Sequence, residues 1–307
     1  MNTQNKIPIE NIRHQHIMIR KKLLLHIIMS GTAFLLLTGC VKTNCPLPDN
    51  IDKRVQQVQI TSDTWSTDLK RNSWSMGSLC ADRITFKEGK RTWTFLLVWN
   101  TEHPKGPFWY LPHDNEESAF DAAVYAAKHY GGGFLAIESD GQRHVSGKDP
   151  NRNFKKDSLY GKKICKIIDT YKPVQLPYLA LHTNAEGHSK NGGSGTVSMK
   201  QHSKNVLAFP AGKIKSGQQK GLEDEDTLIY LAGKKVQKDK VKKFTAAGLN
   251  VKFEKVTKKS NDNSMSNCIV LHQKHENYIN IETEHGDIAT HKKMIDKVMK
   301  IIGQKPI

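Results

Sequence analysis

The chain has 307 residues, enough for one large domain or two modest ones, with 37% hydrophobic and 25% charged residues. Its formal charge is +17, of which residues 1–39 carry +4, leaving +13 for the remainder. The excess is mostly lysine with few interleaved aromatics and no nucleic-acid motif, so it argues for anionic lipid or acidic polymers and against nucleic acid. None of the five cysteines lies in a C-x-x-C pair, which disfavours a structural zinc ribbon.

Taken in chain order, Arg20, Lys21 and Lys22 precede an apolar run from Leu23 to Leu37, the pattern of a secretory signal. The run is interrupted by His26, Ser30 and Gly31 and is short for a membrane span. It ends in Leu37-Thr38-Gly39-Cys40, which resembles the lipobox of bacterial lipoproteins. That resemblance implies a signal peptide over 1–39 and acylation of Cys40 as the mature N-terminus, with a membrane anchor through its lipid. Val41, where inner-membrane lipoproteins carry aspartate, implies the periplasmic face of the outer membrane of a Gram-negative bacterium. Residues 40–63, with Pro46, Pro48 and many polar side chains, suit a tether, and 64–307 is expected to be a single domain. Cys45, Cys80, Cys165 and Cys268 suffice for two disulfides in an oxidising compartment, with their pairing open.

Arg83 to Asn100 holds two β-rich runs around a glycine turn and predicts a hairpin. Strands and helices then alternate: Phe108–Leu111 strand, Ser118–Tyr130 helix stopped by three glycines, Phe134–Glu138 strand, Leu159–Tyr171 helix and Tyr178–His182 strand. A Gly/Ser/Asn-rich loop over 184–198 is the natural candidate for a lid. Beyond it come Thr227–Leu231 strand, Lys238–Ala247 helix, Val251–Val256, Cys268–Leu271 and Tyr278–Glu282 strands, and a closing helix over Ile288–Ile302. Apolar strands separated by amphipathic helices predict an α/β fold: a mixed, mostly parallel twisted sheet with helices on both faces.

In such sheets ligands bind beyond the carboxyl ends of the strands. Phe108–Leu111 is followed by Pro112-His113-Asp114-Asn115-Glu116, an H-x-x-E; His182 ends one strand and Glu282 another. Two imidazoles and a carboxylate make a catalytic zinc set, and a further carboxylate can take the proton of a metal-activated water. Between these motifs lies Gly147-Lys-Asp-Pro-Asn-Arg-Asn-Phe154, a firm turn bearing one guanidinium and two amides. Glu284 is a rival to Glu282, on the same side of a continuing strand. His188 and His285 are expected to be solvated loop residues.

The order of these motifs, over roughly residues 92 to 302, resembles the zinc metallocarboxypeptidases of the carboxypeptidase A type, which include peptidoglycan-trimming enzymes and succinylglutamate desuccinylase-like deacylases. The resemblance implies that 64–307 is an α/β/α sandwich in which His113, Glu116 and His182 hold one zinc ion and Glu282 is the general base. It also implies that Asn151 and Arg152 grip a substrate's free carboxylate, for which the planar guanidinium supplies a two-pronged fork. Arg143 is the candidate that stabilises the oxyanion, and Tyr230 is the available residue for the family's late covering tyrosine. The substrate class that location and charge suggest is a peptide or muropeptide with a free carboxylate. The competing expectation is a lipoprotein that keeps the fold but only binds cell wall or peptides.

Overall fold

The computed structural model describes residues 42–49, 51–217, 220–273 and 277–307; the signal segment and Cys40 lie outside them. Strands β3 (Leu79–Glu88) and β4 (Arg91–Asn100) form the expected hairpin, with Glu88 opposite Arg91 and Gly89 in the turn at φ +60°. β4 pairs antiparallel with β6 (Gly133–Ile137), which begins the parallel centre: β6, β5 (Phe108–Leu111), β7 (Tyr178–Asn184) and β11 (Tyr278–Glu284) lie side by side in that order. β9 (Leu228–Gly233) runs antiparallel to β11 and parallel to β10 (Val251–Lys255), and β8 (Val206–Phe209) closes that edge. The sheet is mixed, as the alternation of elements predicts.

Each central strand is buried on both sides, so its residues divide between two cores. In β5, Trp109 and Leu111 face one core while Phe108 and Tyr110 face the other; in β7, Leu179 and Leu181 oppose Tyr178 and Ala180. The first core is roofed by α2 (Glu117–Tyr130), α4 (Lys238–Ala246) and α6 (Ile288–Ile301); five buried alanines let α2 lie close to the sheet. The second is covered by α3 (Leu159–Tyr171) and α5 (Met265–His272). Where α2 ends, Gly132 takes φ +68°, and a Cβ there would stand 2.1 Å from the Pro107 carbonyl oxygen, so only glycine fits.

Three features depart from the sequence expectation. Cys268–Leu271 is not a strand but part of α5, started by Ser264, whose Oγ accepts from Asn267 N at 3.3 Å. An apolar run of four residues cannot settle its own periodicity; the Ser264 cap, which lies outside the run, decides it. Next, the segment expected as a tether is joined to the sheet. β1 (Lys42–Thr43) and β2 (Gln56–Val58) pair with β3, the Asn44 side chain bonds both N and O of Ile60, and Cys45 is bridged to Cys80. These contacts occupy the edge of β3, which would otherwise offer unpaired backbone groups. Lastly, Cys165 and Cys268 are buried free thiols, so one disulfide forms among these four cysteines, not two. The short helix α1 (Thr67–Asn72) and β8 were not anticipated.

Candidate functional site

His113 and Glu116 lie between β5 and α2, and His182 sits on β7, directly opposite Glu282 of β11 in the parallel register. Because β5, β7 and β11 are neighbours with the same direction, all four side chains arrive at the carboxyl end of the central sheet. Ligand atoms of His113, Glu116 and His182 lie within 4.8 Å of one another, and all three residues are buried. His113 Nδ1 is 2.7 Å from Glu116 Oε1, His182 Nδ1 is 3.3 Å from Oε2, and Thr183 N donates to Oε2 at 2.9 Å. Burial alone would raise the Glu116 carboxyl, but the two imidazoles hold it well below the ordinary range. Two nitrogens and one anionic oxygen converging in the interior are a donor set that suits a divalent metal with a position left open.

Within the octapeptide 147–154, each residue from Asp149 to Phe154 has a place in the site or its anchoring. Asp149 Oδ1 lies 3.0 Å from His113 Nε2 and accepts from Asn151 N at 2.8 Å, capping a one-turn 3-10 helix that Pro150 begins. A carboxylate on the outer nitrogen fixes the ring and makes its inner nitrogen the better ligand. Sequence reading gave Asp149 only the task of shaping the turn; H-x-x-E together with a later Asp was the signal available. Asn151 and Arg152 line a cavity of about 200 Å³ that Glu282 also lines. Arg152 Nε is 3.3 Å from Asp262 Oδ2 and half exposed, so its fork can turn to a ligand. Asn153 donates to Glu88 Oε2 at 3.0 Å, and Phe154 packs edge-on against Tyr110 and Tyr160, anchoring the loop to the core. Arg143 reaches the metal group itself, with Nη1 donating to Glu116 Oε1 at 2.9 Å.

Glu282 is 7% exposed and accepts from Asn280 Nδ2 at 2.8 Å. Burial raises its carboxyl above the ordinary value, the His182 charge working in the opposite direction. Glu284 is not in this cavity; it belongs to a separate acidic group. Tyr230 lines the cavity, as do Tyr278, Lys252 and Glu254, the last three unforeseen. Lys252 is buried, donates to the Ser198 carbonyl, and is lowered to about 8 by burial. Glu254 accepts from Asn267 Nδ2 at 2.8 Å and is raised by burial. Charged residues inside a β-strand were the signal here, obscured by the surrounding lysine-rich stretch. The 184–198 loop is bonded internally rather than free: Asn184 holds Thr196 N and Val197 O, and Gly195 packs where a Cβ would lie 2.2 Å from Ala185 O. His188, expected to be solvated, is buried and accepts from Lys190 N.

Two solved structures share part of this architecture. One is an aspartoacylase family protein from Mesorhizobium loti, 11% identical over 74% of this chain and 68% of its own, with a TM-score of 0.40. The other, from Shewanella baltica and described as a candidate metallopeptidase, is 9% identical over 77% and 89%, with a TM-score of 0.39. No family model and no curated protein matches the chain. At these values the functional reading rests on the chain's own residues.

Proposed function

We propose that the protein is a zinc-dependent hydrolase that cleaves an amide or peptide bond next to a free carboxylate. One observation carries this reading. The His113–Glu116–His182 group, the buried carboxylate of Glu282 and the Asn151–Arg152 pair gather at one end of the sheet, the latter three around one cavity. His113, Glu116 and His182 would hold the ion, which when bound lowers the pKa of a water and polarises a carbonyl. Glu282 takes the proton of the attacking water and returns it to the leaving amine; its raised carboxyl suits both roles. Arg143 neutralises charge on the carbonyl oxygen. Arg152 and Asn151 hold the carboxylate, and a cavity of about 200 Å³ accepts one residue-sized group.

These are the parts of the zinc carboxypeptidase-like resemblance, and they fit a catalyst better than a module that only binds, since a buried Glu282 has no use in binding an anion. The lipobox-like segment and the Cys45–Cys80 disulfide favour an exported, lipid-anchored protein. In that setting peptidoglycan peptides are the proposed substrate. Metal content and hydrolysis of defined muropeptides, with free or amidated carboxyl ends, test this for wild type and Glu282→Gln. One zinc per chain in both proteins is expected, with turnover of the free-carboxylate substrates lowered about 10²–10⁴-fold in the variant. Full activity in Glu282→Gln, or a metal-free wild type, sinks the reading.

A further inference from the structure

Strands β7, β11 and β9 are neighbours, and just past His182 and Glu282 they deliver a second set of titratable groups. Glu186 follows β7, Glu284 ends β11, and Asp224, Glu225 and Asp226 lead into β9. Ligand oxygens of Glu186, Asp224 and Glu284 lie within 4.8 Å of one another, and Glu186, Glu225 and Asp226 form an overlapping group.

The five carboxylates are not equally employed. Asp226 accepts from Gly187 N at 2.6 Å and from Asn184 Nδ2 at 3.5 Å, tying down the loop after β7. Glu225 Oε2 stands 3.8 Å from Lys200 Nζ. Glu186 Oε2, Asp224 Oδ2, Glu225 Oε2 and Glu284 Oε2 are all buried atoms with no hydrogen-bond partner among the described residues, and of these four Glu225 has the Lys200 ammonium beside it. Asp224 is the sharpest case. It is 1% exposed, and since its Oδ1 already accepts from Asp226 N at 3.0 Å, Oδ2 is left bare in the interior. Lys220 and His285 act on Glu284 only through their charge. An anionic oxygen buried without a donor is strongly unfavourable, and the closeness of the three carboxylates compounds the cost.

We propose that Glu186, Asp224 and Glu284 bind one hard divalent cation, calcium by preference. The group offers only oxygens, which excludes the ligand preference of zinc and favours calcium or magnesium. Calcium takes about six to eight oxygens in a flexible geometry and suits a carboxylate cluster supplied by three separate chain segments, whereas magnesium demands a near-ideal octahedron and keeps several of its waters. The ion replaces mutual repulsion with bonds across the ends of three strands. It thereby stiffens β7 and β11, which carry His182 and Glu282, and the 184–198 loop, whose Thr196 and Val197 line the cavity. The proposal does not depend on the hydrolase reading.

The test is calorimetric titration of CaCl2 into purified protein freed of metal on a chelating resin, with melting curves alongside. One calcium per chain is expected, with Tm rising about 5–10 °C at a hundredfold excess over the dissociation constant. Asp224→Asn should bind calcium at least tenfold more weakly while melting, without calcium, no lower than wild type, because repulsion has been removed. Glu284→Gln is expected to behave alike and stands in if Asp224→Asn does not fold. His113→Ala, which dismantles the other group, should keep calcium binding. No calcium heat in wild type, unweakened binding in the acidic-group variants, or its loss in His113→Ala overturns the proposal.

Discussion

Asp149 Oδ1 joins two parts of the site: it meets His113 Nε2 and holds the backbone of Asn151. Burial opposes its charge, yet the His113 bond holds its carboxyl well below the ordinary range. Asp149→Asn keeps the shape and the backbone contact but removes the charge behind the ring. Metal affinity is expected to fall about 10–100-fold, measured by competition with a chelating dye, while the fold is unchanged by circular dichroism. Glu282 shows the converse shift. A base must be ionised to accept a proton, and burial lifts this carboxyl above 4.5. The rate is therefore full above the raised value and falls as pH drops through it, so the acid limb of kcat should have its midpoint above 4.5, and the surviving rate of Glu282→Gln should lack that limb.

Among the elements, the N-terminal segment depends most on a covalent link. Cys45 and Cys80 are 35 residues apart and secure β1 and β2 against β3. Replacing both cysteines by serine should cost about 3–4 kcal/mol in urea unfolding, from the released chain entropy of that loop. Neither the pairing nor β1 could be foreseen in the sequence: a two-residue strand has no period, and disulfide partners are chosen by three-dimensional proximity. Elements whose period is long enough were legible. α3 and β5 have the bounds their apolar spacing predicts, and β7 and β11 begin where predicted but run two residues beyond His182 and Glu282. α5 was missed because its cap, Ser264, and its anchor, Asn267 on Glu254, act through side-chain bonds rather than apolar spacing. Between Lys234 and Lys259 ten lysines face only Asp239 and Glu254, a composition that reads as a solvated face, and here too side-chain contacts decide otherwise. Lys252 faces a cavity and Lys240 bonds Asn277 Oδ1, so neither belongs to a solvated face.

At the scale of the whole molecule, two sets of carboxylates pull stability in opposite directions with pH. Asp52 and Asp149 are lowered, the first by Arg54 and Lys163, the second mainly by His113 against its burial. Their contribution is present above the unfolded value of 3.8 and is lost as pH falls through the folded one. Asp224 and Asp226 are raised, chiefly by burial and then by neighbouring acids, to about 6 and about 7. Their contribution is present below 3.8 and is lost as pH rises through those values, because the unfolded chain then accepts the negative charge more readily. A net charge of +17, growing as histidines protonate, adds self-repulsion on the acid side. Without divalent cations the melting temperature should therefore peak near about pH 5 and decline toward pH 8. Even a single pKa unit of this effect is worth about 1.4 kcal/mol, or roughly 3 °C. A cation among Glu186, Asp224 and Glu284 prefers those groups ionised, so calcium should lift the alkaline side far more than the acid side. Scanning calorimetry from pH 4 to 8, with EGTA or with CaCl2, reads both trends; an equal calcium shift at every pH would mean that the ion does not sit among these carboxylates.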